Sequence, residues 1–140
     1  MIALRLIALL LVSLPAFAEY GSAVVSEVTS IYDADTFRAN ISGWPPIIGE
    51  RAPIRVKGVD APELRGKCES EKVQARKAKK FTVAKLRGAR TIRLDELERG
   101  KYFRILAVVY VDGENLAQAL INAGLARPYD GGTRQGWCSQ

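Results

Sequence analysis

The sequence predicts a mainly β fold, a small closed barrel of five strands carrying two helices. Three observations support that expectation: five short runs rich in Val, Ile, Leu, Thr and Phe, turn-forming residues between most of them, and one long stretch of helical periodicity after the third run. Residues 23–32 and 36–41 flank the Asp-rich turn around Asp33 and Ala34, so they read as a hairpin. Gly43-Trp44-Pro45-Pro46 cannot continue a central strand, because proline brings no N–H to the ladder. Residues 42–51 therefore read as a surface loop before a third strand at about 52–59. Asp60-Ala61-Pro62-Glu63 leaves that strand as a rigid turn.

A helix is expected over residues 69–87, where Val73, Ala78, Phe81 and Ala84 fall within a ~140° arc at about 100° per residue. Lys72, Arg76, Lys79, Lys80 and Arg87 share the other side, which is by default a solvated face. Glu69 and Glu71 at its start, and Lys85 and Arg87 before Gly88, suit the helix dipole and a glycine stop. Residues 90–94 and 102–111 read as the last two strands, joined by the charged connection 95–101. Asp112-Gly113 turns the chain into a short helix at 115–123, stopped by Gly124, and the tail from 127 to 140 is Gly-rich and irregular. Five strands, with one long helix after the third and a short one near the C-terminus, match the OB-type barrel.

Residues 1–18 read as an export signal: Arg5, an apolar run from Leu6 to Leu14, the Pro15 break, and a small-x-small end at Ala16-Phe17-Ala18. The run is too short to span a bilayer, so a soluble product, periplasmic or secreted, with no stable membrane association is expected. Residues 19–140 form one domain's worth of chain, expected to act as a monomer. The whole chain carries a formal net charge of +6. A basic exported domain favours a polyanionic partner, although charge alone fits nucleic acid, anionic lipid and cell-wall polymer equally. The two cysteines, Cys68 and Cys138, are too far apart for a CxxC motif. In an oxidising compartment they are expected to pair, tying the tail to the segment after Glu63, with roughly 4 kcal/mol of chain-entropy stabilisation.

The chain has no histidine. Ser-His and Cys-His nucleophiles, histidine general bases and His-containing zinc sites are thereby excluded. What remains is carboxylates, arginines and a possible ion. Asp35, Asp60 and Glu63, with Arg55 and Arg104, suit metal-assisted attack on a phosphodiester. Two carboxylates at strand ends with several waters fit calcium better than zinc. Glu63, beyond the proline turn, is placed to act as a general base through one water. Arg55 and Arg104 offer forked donors to phosphoryl oxygens as charge builds in the transition state. Taken singly, each residue has a bland explanation as a turn former or surface ion pair; the order and combined spacing give the set its weight.

These phrases resemble the staphylococcal (micrococcal) nuclease family, the thermonucleases. Ile31-Tyr32-Asp33-Ala34-Asp35-Thr36 is similar to that family's first metal-binding turn. Arg55 through Glu63 resembles its Arg-to-Pro-Glu strand and turn, and Lys101-Tyr102-Phe103-Arg104-Ile105-Leu106-Ala107 the segment with its second catalytic arginine. Residues 115–126 resemble its late helix and the Gly-Leu-Ala that follows. The likeness spans about 23–129. It implies an OB-fold nuclease that uses Ca²⁺ to cleave DNA and RNA, leaving 3′-phosphate ends. By position, Asp35, Asp60 and the carbonyl of Ala61 would hold the metal, Glu63 would be the base, and Arg55 and Arg104 the phosphoryl clamps. Tyr102 and Tyr129 would pack near the nucleotide. Ala61 stands where the prototype has threonine, and Phe103 and Ile105 replace glycines beside the arginine. The 42–51 loop is longer, the loop after Glu63 is shorter and holds Cys68, and Trp137-Cys138 ends the tail in place of a long basic helix. The competing expectation is a non-catalytic OB-fold module that binds single strands through a basic groove.

Overall fold

A computed structural model describes residues 20–138; the expected export signal lies outside the described residues. β1 (Ala23–Asp33) and β2 (Thr36–Ile41) form the expected antiparallel hairpin, closed by Ala34-Asp35 with Asp33 opposite Thr36. The 42–51 loop contains one helical turn, α1 (Pro46–Gly49). Proline is tolerated at its start because the first helical N–H needs no partner there.

The expected third strand at 52–59 is two elements. β3 (Ala52–Val56) pairs with β2, the chain turns at Lys57-Gly58, and β4 (Val59–Asp60) pairs with β8 (Arg127–Pro128). Gly58 makes that turn with φ +83°, a left-handed backbone that side-chain-bearing residues resist. Without this break, Arg55 and Asp60 would lie along one extended strand rather than around a corner.

α2 (Glu69–Arg87) has the expected bounds, and Cys68, just before it, is disulfide-bonded to Cys138, 70 positions away. Its buried face differs from the arc expected. Glu71, Ala75, Ala78, Thr82 and Leu86 are buried, whereas Val73 and Ala84 are exposed and Phe81 is partly covered. The stripe follows i, i+4, i+7, i+11, i+15, and two of its members are polar, so hydropathy alone pointed the arc to one side. Both polar members are hydrogen-bonded: Thr82 Oγ1 donates to the carbonyl of Ala34 at 2.8 Å, and Glu71 accepts from the backbone near the site.

β5 (Ile92–Arg99) runs well past the expected 90–94. Ile92, Leu94 and Leu97 face the core, and a bulge between Asp95 and Glu98, with Glu96 at φ 49°, breaks the alternation. Charges on the outer face and that broken period made the second half look like a connection. β6 (Ile105–Val111) begins later than the expected 102, because Lys101–Phe103 form a 3₁₀ turn. β7 (Glu114–Asn115) and α3 (Leu116–Asn122) follow, with Asn115 capping α3 through Oδ1 to the N–H of Gln118 at 3.1 Å.

The strand order is β3-β2-β1-β5-β6-β7, and β3 also pairs in parallel with β6, Ile54 opposite Ile105. That last pairing closes five strands into a barrel of the OB-like kind. Phe37, Ile54, Val56, Leu94, Leu97 and Val109 fill it from the strands, and Leu116 and Leu120 cover it from α3. α2 packs along β1 and touches α3. Closure brings the ends of β1, β3 and β4 into one neighbourhood, where Asp35, Arg55 and Asp60 meet, and lays the start of β6 alongside β3.

Candidate active site

Asp35 is buried at the β1–β2 turn and held on every side. Thr36 Oγ1 donates to its Oδ1, and the N–H of Ala61 donates to its Oδ2, both at 3.0 Å; its own carbonyl accepts from Val56 N–H at 2.9 Å. The first turn and the Asp60-Ala61 turn are thus stitched together, and Thr82 anchors the same turn from α2. Arg55, opposite Thr36 on β3, brings Nη1 to 2.5 Å from Asp35 Oδ2 and Nη2 to 3.8 Å from Asp60 Oδ1. The contact with Asp35 is a close ion pair, and a guanidinium with five N–H groups has donors beyond those facing Asp35 and Asp60.

Asp33 is buried beside Asp35, with Oδ1 lacking any partner. Burial, then the charge of Asp35, push its carboxyl up to about 7, against the lowering influence of Arg55 and Thr36. Glu63 follows the buried Pro62, with its side chain about half exposed. Its backbone N–H donates to Glu71 Oε1 at 3.3 Å, and Lys67 N–H donates to Oε2 at 2.9 Å, so a buried carboxylate on α2 shapes the turn bearing the candidate base. Gly66 permits this: a Cβ there would collide with the Glu71 carboxylate.

Arg104 emerges where the 3₁₀ turn meets β6. Tyr102 and Phe103 before it have φ of 57° and 59°, conformations that glycine adopts freely and bulky residues reach only with strain. Both side chains are consequently thrust into solvent. Arg104 Nε is buried with no hydrogen-bond partner. Its side chain lines a cleft with Thr36, Tyr32, Arg38 and Tyr102, and also borders a larger groove, about 810 Å³, with Trp44, Ile47, Arg51 and Phe103. Tyr129 lines a third cleft with Asp60 and Arg127, its hydroxyl donating to Gly132 O at 2.8 Å.

In the tail the sequence pointed only to Tyr129 and Cys138, and the structure adds two residues that touch the charged cluster. Arg134 binds Asp60 Oδ1 through Nε at 2.9 Å and also through Nη2, and its Nη1 lies 2.9 Å from Glu63 Oε1. Trp137 Nε1 donates to Asp60 Oδ2 at 3.2 Å, and Arg127 stacks on the Trp137 ring 3.6 Å from its centroid. Burial opposes the charge on Arg134, but hydrogen bonding to Asp60 and its charge, then Glu63, outweigh it and hold the guanidinium above its ordinary value. A signal for this was present: pairing Cys138 with Cys68 necessarily brings the residues just before Cys138 near Glu63. Asp33 was read only as a turn former.

Asp35 and Asp60 are buried hard-oxygen donors with an orphaned Asp33 oxygen nearby, a set that suits a hard divalent cation. With two such carboxylates rather than a cage of them, an ion held here would need carbonyl or water oxygens as well. Among the described residues, one trio of possible ligand side chains lies within 4.8 Å, Cys68, Glu71 and Cys138, and its two sulfurs are bonded to each other.

Fold and site define a class first: an OB-like barrel with acidic residues and arginines gathered at one end. The family model described as staphylococcal nuclease homologue matches residues 53–136, more than half of the chain, and the chain belongs to that family. The matched span carries Arg55, Asp60, Glu63, Arg104 and Arg134, while Asp35 precedes it. Members are in general nucleases or phosphodiesterases, typically metal-dependent, which suggests nucleic acid as substrate. Comparison with curated proteins gives no match.

Proposed function

We propose that this chain is an exported, calcium-dependent nuclease that hydrolyses phosphodiester bonds of DNA and RNA to leave 3′-phosphate ends. One observation carries the reading: Asp35, Arg55 and Asp60 form a continuous buried charge chain, with Glu63 one guanidinium away, and Arg104, its Nε unpartnered, lines a cleft with Thr36, the neighbour of Asp35. A polar atom buried without a partner is costly and is tolerated where a ligand will meet it.

In this reading Asp35, Asp60 and the carbonyl of Ala61 hold Ca²⁺, which when bound supplies positive charge against the phosphoryl oxygens and acidifies neighbouring water. Glu63 accepts the proton of the attacking water. The water oxygen bonds to phosphorus, the bond from phosphorus to the 5′ oxygen breaks, and that oxygen takes a proton from solvent. Arg55 and Arg104 hold the phosphoryl oxygens as their charge rises, while Tyr102 and Tyr129 flank the nucleotide. Residues 19–140 act as one monomeric domain after removal of the export signal, and the Cys68–Cys138 bond suits an oxidising, extracytoplasmic location.

The rival reading, a binding module without catalysis, draws support from Arg134 occupying Asp60 and Glu63. Plasmid digestion separates the two. Cleavage with calcium that stops with chelator supports the nuclease, and DNA retention without chelator-sensitive cleavage supports the binder.

A further inference from the structure

Arg134 stands where a metal-binding acid and a catalytic base would each need to be free. Its guanidinium bridges Asp60 and Glu63, two side chains that the proposed mechanism assigns to different tasks. The bridge is not a stray surface pair. Asp60 is almost wholly buried, and its second oxygen is taken by Trp137 Nε1. Trp137 is in turn stacked on Arg127, which also donates to the carbonyl of Gly136 at 3.1 Å, and the segment ends in the Cys68–Cys138 bond. The tail is therefore a strap, fixed at β8 and at the disulfide, with Arg134 suspended between the two anchors.

We propose that Arg134 is an internal cation held between Asp60 and Glu63, and that a divalent ion binds Asp60 only by displacing it. Resting on the reading of Asp35 and Asp60 as metal ligands, this assigns Arg134 a positioning role that the family likeness does not supply. The chemistry is direct. Asp60 already meets Arg55 at 3.8 Å, so adding a divalent ion while Arg134 stays would place three positive groups around one carboxylate. Removal of one relieves that crowding, and Arg134 is the one that can leave: its side chain is 45% exposed against 13% for Arg55. With Arg134 withdrawn, Glu63 also loses its partner and is free to accept a proton. Metal entry and release of the base are then one event. A strap seated ~90% of the time weakens apparent metal affinity about tenfold relative to an open site.

Calcium titration by calorimetry tests this on the disulfide-bonded protein, with Arg134→Ala, Arg134→Lys and Asp35→Asn beside the wild type. Arg134→Ala is expected to bind calcium roughly tenfold more tightly than wild type, and Arg134→Lys, which keeps charge but not the fork, to fall between. Unchanged or weaker calcium binding in Arg134→Ala, with wild-type binding lost in Asp35→Asn, overturns the displacement and leaves the metal site standing. Absence of calcium binding in wild type and Arg134→Ala alike overturns both.

Discussion

Two arginines hold Asp60, and they share little beyond the guanidinium. Arg55 is part of β3, locked between β2 and β6 by ladder hydrogen bonds, and lies nearly out of water. Arg134 belongs to a segment with no regular structure, and its position depends on a disulfide, an indole and a stacked arginine. The first is fixed once the barrel closes and cannot be withdrawn without opening the core. The second is attached to the same carboxylate by stronger contacts, yet can swing out without disturbing a strand. A site assembled this way carries one permanent cation and one exchangeable one, and variants on each side should behave differently.

The largest effect is expected on the strap side, in stability. Replacing Cys68 and Cys138 by serine should lower unfolding free energy by about 4 kcal/mol, read from urea denaturation. An unchanged midpoint would mean that the tail does not constrain the unfolded chain. On the barrel side the effect is on rate: Arg55→Ala, Arg104→Ala and Glu63→Gln should each lower turnover by roughly 10²-fold or more, about 2.7 kcal/mol of barrier. Folded variants with near-wild-type rates contradict the roles given to these residues. Behind the barrel site, Thr82→Val removes the hydroxyl that satisfies the carbonyl of Ala34, and a loss of about 1–3 kcal/mol is expected in the same denaturation assay. No loss there would show the turn bearing Asp35 to be self-supporting.

The smallest effect lies far from both arginines. Asp112 accepts backbone hydrogen bonds from Thr91, then Arg90, which hold its carboxyl below the ordinary 3.8. A lowered folded value contributes stability above 3.8 that fades as pH falls below it. Asp112→Ala should therefore be less stable than wild type at pH 7, with the gap narrowing below about pH 4. A gap independent of pH would assign the difference to backbone conformation, since Asp112 has φ 49°.

The contrast between the two arginines also marks what was legible in the sequence. Barrel, hairpin and long helix were readable from strand-forming runs, the Asp-rich turn and helical periodicity, and the order and combined spacing of the charged phrases pointed to Asp35, Arg55 and Asp60, which the fold brings into contact. The departures at α2, β5 and β6 have physical causes, as does the split of the 52–59 strand at Gly58. The α2 face was misjudged because Glu71 and Thr82 are buried for hydrogen bonds rather than hydropathy. The second half of β5 was missed because a bulge breaks its alternation. The start of β6 was set too early because nothing in Tyr102-Phe103 signals left-handed backbone. Arg134 and Trp137 were harder to pick out for another reason: they lie in a Gly-rich tail with no period, and the signal that brings them to Asp60 is non-local, the Cys68–Cys138 bond and the pairing of Arg127 with Asp60.

Cleavage of a defined oligonucleotide with calcium and then with chelator, by wild type and by Glu63→Gln, tests most directly whether this charged cluster hydrolyses phosphodiesters. The expected result is rapid, chelator-sensitive cleavage to 3′-phosphate ends by the wild type, slowed roughly 10²-fold or more in the variant. Cleavage indifferent to chelator, or equal in both proteins, would contradict it.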